Sequence, residues 1–372
     1  MLTARDDNRN DARGMPTRQP RSLQVLVIGH HIFPDALEWH IVECLRSMGC
    51  TTEFFEAAIN LRWAPKVAAQ AIRKATNVLL REPERLYEAR LVRAVQSFEP
   101  ELILVTLGNY LSPKTVRRIR SCSGAAIACW CQDQMTTLGR QYLLGSEYDA
   151  VFVKDRYMQD LFSRMVKSTP FHYLPEACNP AVHRTLPLSD AERATYGCDV
   201  MIAGTLYYYR QEILRHLTQF DLKAWGLRPD WLIDRLQIDY PGREVFTDAK
   251  AKAANGARIC LNTLHYGEVD GLNVRAFEIA GCGGFQLITH VPVLKEHFEI
   301  GSEIVAFRTT DELVELVRHY LGEPELTAAI GRRSQQRAYR EHTYQHRLKD
   351  IIRITLGREL YVQQPAAPVS PS

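Results

Sequence analysis

The sequence predicts an α/β protein of two Rossmann-like parallel-sheet domains, and three observations predict it. Strand-length apolar runs alternate with helical stretches in both halves, the pattern of βαβ units. Those runs are near-continuous rather than alternating, as parallel strands buried on both faces require. The series breaks once, at about 175–198, where PEACNPAVHRTLPLSDAERATYGC has three prolines and no strand signal. A length of 372 residues suits two domains of roughly 100–200 residues each.

The first half opens with Leu23–Gly29 (LQVLVIG), a β-branched run of buried-strand length. Pro34-Asp35 then begins a helix in which Leu37, Ile41 and Leu45 recur four apart, ending near Gly49. Thr51–Ala57 is the next strand. Lys66–Phe98 is polar-helical, anchored by Val67, Ile72, Leu79, Leu80, Leu86, Leu91 and Val95. Strands at Leu102–Leu107, Ala125–Trp130 and Ala150–Val153 follow, with helices at Lys114–Arg120 and Tyr157–Met165. After the break, Asp199–Leu206, Asp221–Trp225, Arg258–Leu264, Gln286–Ile288 and Glu303–Phe307 read as strands. Helices are expected at Gln211–Thr218, from near Asn273, and after the capping box Thr309-x-x-Glu312. One or two more run through about 325–359.

The expected division is a disordered leader at 1–22, an N-terminal domain at 23–190 and a C-terminal domain at 191–345. A helix at 346–362 returns to the N-terminal domain, and 363–372 is a disordered tail. The leader carries five Arg and three Asp with almost nothing apolar, so it lacks a secretory signal's apolar stretch.

Composition narrows the function classes. With 46% hydrophobic and 24% charged residues the chain is neither disordered nor fibrous. Forty-six Lys+Arg against 43 Asp+Glu leave +3, which gives no support to a nucleic-acid partner. No apolar run approaches the roughly 20 residues that span a bilayer, so a membrane contact would be peripheral. Nine scattered cysteines, an odd number, fit buried hydrophobes in a reducing, cytoplasmic setting. Cys129 and Cys131 have no second pair at zinc-ligand spacing, and no metal site is expected.

The most informative segment is Asp270-Gly-Leu-Asn-Val-Arg-Ala-Phe-Glu-Ile-Ala-Gly-Cys-Gly-Gly284. A helix starting near Asn273 offers unpaired backbone N–H groups and a positive dipole end, which suit a diphosphate. Gly271 allows a ligand close to the backbone. A carboxylate at Glu278 can accept hydrogen bonds from a ribose diol, and Asp270 could hold a sugar hydroxyl. Solvated surface acids and turn glycines fit the same residues equally well.

This segment resembles the donor-binding region of GT-B glycosyltransferases, whose retaining members carry an acid, seven residues, then Glu: here Asp270-x7-Glu278. The run Gly271–Ile288 is similar to the CgeB-like (spore-maturation protein) glycosyltransferases. So are Leu294-x-Glu-x-Phe298, Gly301-x-Glu-Ile-Val305, Glu341-His-Thr-Tyr-x-His-Arg347 and the phrase from Tyr173 to His183. Asp270 is a methylene shorter than the Glu of many retaining relatives, which makes its contact with the sugar less secure.

The resemblance implies a GT-B fold and transfer of a sugar from a nucleotide-diphospho-sugar of UDP, GDP or dTDP type. The acceptor would be a glycan, a protein or a small molecule. Transfer would be metal-independent and retaining, with no cofactor beyond the co-substrate. Donor-binding residues would be Gly29, Gly204, Arg210, Gly271, Leu272, Asn273, Arg275 and Glu278, with the two arginines on the diphosphate. His30 or His31, after the first strand, Asp133 in Gln132-Asp133-Gln134, and Asp270 would lie nearest the reaction. Arg210 equally fits the start of a surface helix, and Tyr207–Tyr209 before it read as core packing or a base-stacking face, with packing the better fit. The alternatives are a non-catalytic nucleotide-binding or scaffold relative and a sugar-nucleotide epimerase. No P-loop, G-x-S-x-G, His-Glu-x-x-His or G-x-G-x-x-G after Gly29 is present.

Overall fold

A computed structural model describes residues 22–30, 32–58, 68, 72, 75, 84–106, 111–134, 141–227, 236, 238–241 and 244–360. The first sheet is built from β1 (Gln24–Gly29), β2 (Thr51–Glu56), β3 (Leu102–Val105), β4 (Ala126–Cys131), β5 (Ala150–Val153) and β6 (Phe171–Tyr173). Its order is β2-β1-β3-β4-β5-β6, every pair parallel. The second holds β7 (Cys198–Ala203), β8 (Leu222–Trp225), β9 (Ala257–Asn262), β10 (Gln286–Thr289) and β11 (Val305–Phe307). Its order is β11-β10-β9-β7-β8, again all parallel. Both sheets share one logic: the first strand pairs with the second on one side and the third on the other. The chain direction therefore switches between β1 and β3, and between β7 and β9. Ligands of open α/β sheets bind beyond the strands' carboxyl ends at such switch points.

Alternation along β4 explains the two close cysteines. Ile127, Cys129 and Cys131 enter one core with Leu26, Ile28 and Val105, while Ala128 and Trp130 enter the core on the opposite face. Both thiols are buried hydrophobes, and burial pushes the Cys129 thiol well above its ordinary range.

Besides the one-turn helices Tyr142–Gly145 and Leu294–His297, three elements in the described residues depart from the sequence expectations. β6 is three residues long, too short for an apolar run to show, and exists through its pairing with β5. A helix at Asp190–Tyr196 lies inside the stretch that reads as connection; its capping box, Ser189 with Glu192, is a local signal that the prolines mask. The helix Asp248–Gly256 buries only Ala251, Ala253 and Ala254, a stripe too small to stand out as periodic.

The last helix, Tyr344–Leu356, sends Tyr344, Leu348, Ile351 and Ile352 into the first sheet's core beside Val25, Leu104 and Trp130. The chain thus passes twice between the sheets, and the two passages bond to each other. Cys178 N donates to His342 O at 2.9 Å, and Tyr344 N donates to Cys178 O at 3.2 Å. Buried Arg347 staples them. Its Nε donates to the carbonyls of Pro175 and Glu176, both at 3.1 Å, and its terminal nitrogens reach Glu341 O and His342 Nδ1. Burial lowers the guanidinium to about 10. Arg347→Ala would strand these acceptors, and each buried unsatisfied group costs about 1–3 kcal/mol. A loss of about 3 kcal/mol in urea unfolding is expected; a change under about 1 kcal/mol would mean that water replaces the bonds.

Candidate functional site

Glu278 lies on the helix Val274–Gly281, which begins where Asn273 Oδ1 accepts from Ala276 N at 3.2 Å. The Glu278 carboxylate is buried, and its Oε1 accepts from Lys250 Nζ at 2.6 Å. Lys250 Nζ also lies 2.8 Å from Asp35 Oδ2, in the loop after β1 of the other sheet. Asp35 itself is buried, with φ +73°, and accepts from Thr247 N at 2.9 Å and from His40 Nε2 at 3.0 Å. His183 Nε2 completes the cluster, 3.4 Å from Asp35 and 3.6 Å from Glu278.

The protonation states follow from the partners. His183 Nδ1 accepts from Asn179 N, so the proton sits on Nε2, toward the carboxylates. Asn179 Oδ1 is taken by Ala181 N, so its Nδ2 donates to His40 Nδ1, and His40 Nε2–H donates to Asp35. Asp35, His40 and His183 stand within metal-ligating distance of one another, but both Nε2 atoms carry hydrogen and offer no lone pair. The donor set does not suit a metal ion. Burial would raise the Asp35 carboxyl, yet the polar contacts from His183, His40 and Lys250 hold it well below the carboxylate range. Burial likewise opposes ionisation of Glu278, but Lys250 and His183 outweigh it and keep the carboxylate charged.

A cavity of about 240 Å³ opens against this cluster, lined by Asp35, Gly204, Gly226, Phe246, Lys250, Arg275 and Glu278 among others. At its edge two guanidinium groups converge on the switch point between β7 and β9. Gly204 has φ +106°, and a Cβ there would stand 2.8 Å from one Arg275 nitrogen and 3.1 Å from one Arg210 nitrogen. Arg210 is buried and neutral-bonded, its Nε donating to Thr263 Oγ1 at 2.9 Å and another nitrogen to Thr205 O at 2.7 Å. Among the described residues no carboxylate pairs with either arginine. Burial and the neighbouring Arg275 lower Arg210 to about 10. Two adjacent cations at a strand-end crevice, with no carboxylate in ion-pair distance among the described residues, suit an anion.

Beyond Arg210 the contacts run toward the other sheet. Its guanidinium stands 5.0 Å over the Tyr207 ring, and Tyr207 packs 5.6 Å from His265. Glu268 N donates to His265 O, closing a turn whose Gly267 sits against Gln134, just past β4. Glu268 Oε1 accepts from Lys154 Nζ, at the end of β5, at 2.8 Å, and Glu176 lies 3.5 Å from the same nitrogen. Burial raises the Glu176 carboxyl to about 8, against the opposing pull of the Lys154 ammonium.

The residues singled out from sequence fare unevenly. Glu278, Gly204, Arg210 and Arg275 come together around one cavity and switch point. Arg210 is buried rather than at the surface, and the residues before it correct the packing expectation: Tyr208 and Tyr209 are exposed and only Tyr207 is half-buried. Asp270 does not line the cavity; its Oδ1 accepts from Val293 N at 2.6 Å, and its N–H and C=O bond to Asp155 and Arg156. Gly271 admits the first domain's backbone rather than a ligand, since a Cβ would stand 2.9 Å from Lys154 O. Leu272 is fully buried core. The Asn273 side chain is spent on its helix cap and a paired amide with Asn262. Gly29 makes room for Glu38, whose Oε1 accepts from Thr106 Oγ1 and from the backbone of His30. Asp133 is exposed past β4, and His31 lies outside the described residues.

Asp35, His183, Lys250, Lys154 and Glu268 were not legible as site residues. They come from separate elements, and no local spacing announces them. The phrase from Tyr173 to His183 was the nearest signal.

Residues 209–353 match the family model described as glycosyl transferase-like. Sucrose-phosphate synthase from Thermosynechococcus elongatus superposes with a TM-score of 0.65 at 12% identity, covering 90% of this chain and 97% of that one. The fold is GT-B. Other GT-B structures agree: Anabaena HepE in complex with UDP-glucose has a TM-score of 0.62 at 12% identity, covering 90% and 100%. A UDP-forming α,α-trehalose-phosphate synthase from Burkholderia xenovorans gives 0.60 at 11%, covering 90% and 99%. No curated protein sequence matches the chain. No described helix of this GT-B chain is long and apolar enough to cross a membrane.

Proposed function

We propose that the chain is a glycosyltransferase taking a sugar from a nucleotide-diphospho-sugar, with retention, to a glycan, protein or small-molecule acceptor. The observation that carries this is the pair Arg210–Arg275 at Gly204, without carboxylate ion-pair partners among the described residues, beside the Glu278 cavity. A nucleotide sugar is a linear object: base, ribose, diphosphate, sugar. The cavity supplies a charged carboxylate for the ribose diol and then two cations for the diphosphate, in that order. As the glycosidic bond to the diphosphate breaks, negative charge grows on the leaving oxygens, and preorganised cations meet it without reorganising. The diphosphate itself can take the acceptor's hydroxyl proton, so a separate protein base is not required. HepE, which binds UDP-glucose on the same fold, and the glycosyl transferase-like match support this, as does the likeness of Gly271–Ile288 to the CgeB-like family.

The test is nucleotide release from UDP-, GDP- and dTDP-sugars, by the unaltered chain and by Glu278→Ala. Glu278 makes a charge-assisted contact, so its loss should raise the donor KM by about tenfold or more. Unchanged turnover in Glu278→Ala would remove the ribose assignment. Tight nucleotide binding without turnover on any donor and acceptor would favour a non-catalytic scaffold.

A further inference from the structure

Tyr208 and Tyr209 enter neither the core nor the donor cavity. They open the helix Tyr208–Leu214 with their side chains exposed, and the loop after β9 brings Tyr266, 72% exposed, against them. The Tyr266 ring lies 5.8 Å from Tyr209, edge to face at 77°, and 4.1 Å from His265. Val269, also exposed, lies further along the same loop.

These rings form a continuous row that starts at the arginines. Arg210 stands over Tyr207, Tyr207 against His265, His265 against Tyr266, and Tyr266 against Tyr209. Gly204, Arg275 and Glu278 line the donor cavity, and none of the rings in the row does. Ribose and base therefore have their place on the Glu278 side, and the row extends from the arginines on the other. The first domain reaches the same loop, where Gln134 sits against Gly267. Gln132, two residues before Gln134 and buried, has an amide nitrogen without a partner among the described residues. Buried polar atoms are nearly always satisfied, and exposed apolar groups beside a crevice mark ligand surfaces.

The chemistry of the row selects its occupant. A pyranose has a face of C–H bonds and an edge of hydroxyls. The negative face of an aromatic ring attracts the first, and a phenol or amide bonds to the second. A stable protein interface needs about 800 Å² from each partner around an apolar core. Three of the four exposed apolar side chains here are tyrosines, and Val269 alone is aliphatic. We infer that Tyr209, Tyr266 and His265 form a stacking platform for a glycan, so that the acceptor is an oligosaccharide or polysaccharide. This rests on the proposed function of the adjoining crevice. A row of rings is matched by a row of sugars, which a monosaccharide cannot supply.

The test titrates the full chain, saturated with UDP, GDP or dTDP, with cellohexaose, maltohexaose and chitohexaose, and with glucose and N-acetylglucosamine. Ligand line broadening in NMR reads the affinity, and calorimetry reads nucleotide binding by the same samples. At least one hexasaccharide should bind about tenfold more tightly than its monosaccharide. Tyr266→Ala should weaken that hexasaccharide about three- to tenfold, the size of one ring contact. Tyr266→Phe, which keeps the ring, should stay within about twofold of the parent. Nucleotide affinity and melting temperature should hold in both variants, because the side chain is exposed. Hexasaccharide affinity unchanged in Tyr266→Ala overturns the platform, as does a chain that binds no hexasaccharide better than its monosaccharide. An equal loss of nucleotide affinity in Tyr266→Ala also overturns it, since the rings would then belong to the donor. Failure to bind glycan while nucleotide binds removes this inference alone; failure to bind any nucleotide removes the proposed function and this inference with it.

Discussion

Arg275→Ala is expected to lower kcat/KM for donor turnover by about 100- to 1000-fold, the cost of deleting one preorganised group aimed at developing negative charge. Arg275 is the better of the two arginines to remove. It is half-buried in the first turn of the helix Val274–Gly281, and no described carboxylate pairs with it. Its loss strands no ion-pair partner, and the melting temperature should hold. Arg210 differs. Its nitrogens bond Thr205 O and Thr263, so alanine there would unfold the crevice as well as remove the charge. Arg275→Lys should recover only part of the loss, since an ammonium is a point charge without the planar fork that meets phosphate oxygens in pairs. Steady-state nucleotide release measures the effect. Turnover within threefold of the parent in Arg275→Ala would remove the diphosphate site from Gly204.

Asp35→Ala should destabilise the protein by about 3–5 kcal/mol at pH 7, the range for breaking a buried charge cluster by one partner. Asp35 takes bonds from His40, Lys250 and Thr247 N, and removing it leaves Lys250 to Glu278 alone. The pH dependence gives the sharper reading. The carboxyl is held well below its ordinary 3.8, so its stabilisation is fully present above that pH. As the pH falls below 3.8 the unfolded chain takes up the proton first, and the contribution is lost. The gap between parent and Asp35→Ala, measured by urea unfolding, should therefore be constant from pH 7 to 5 and narrow toward pH 3. A gap unchanged down to pH 3 would mean that Asp35 is not the charged centre of the cluster. Because Lys250 touches both Asp35 and Glu278, the same variant should also weaken nucleotide binding, joining stability and donor affinity through one ammonium group.

By itself the sequence determined what local chemistry controls. Continuous β-branched runs become parallel strands wherever they lie, because burial on both faces leaves little choice. Helix starts are set by their caps, which is why Thr309 and Asn273 mark two of them. Glu278 and Arg275 were legible because one turn of helix places both beside a strand end. Asp270 and Gly271 were legible as a motif but not as contacts: the spacing is present, yet Asp270 meets Asp155 and Val293, and Gly271 meets Lys154 and Asp155, rather than the cavity. Only the tertiary structure decided the partners of charge. Lys154 and Glu268 stand 114 residues apart and meet because the carboxyl ends of two sheets face each other. Whether a carboxylate is a solvated surface acid or a buried, oriented acceptor depends on which cation arrives across the gap. That is a property of how the domains are docked, and no periodicity along the chain encodes it.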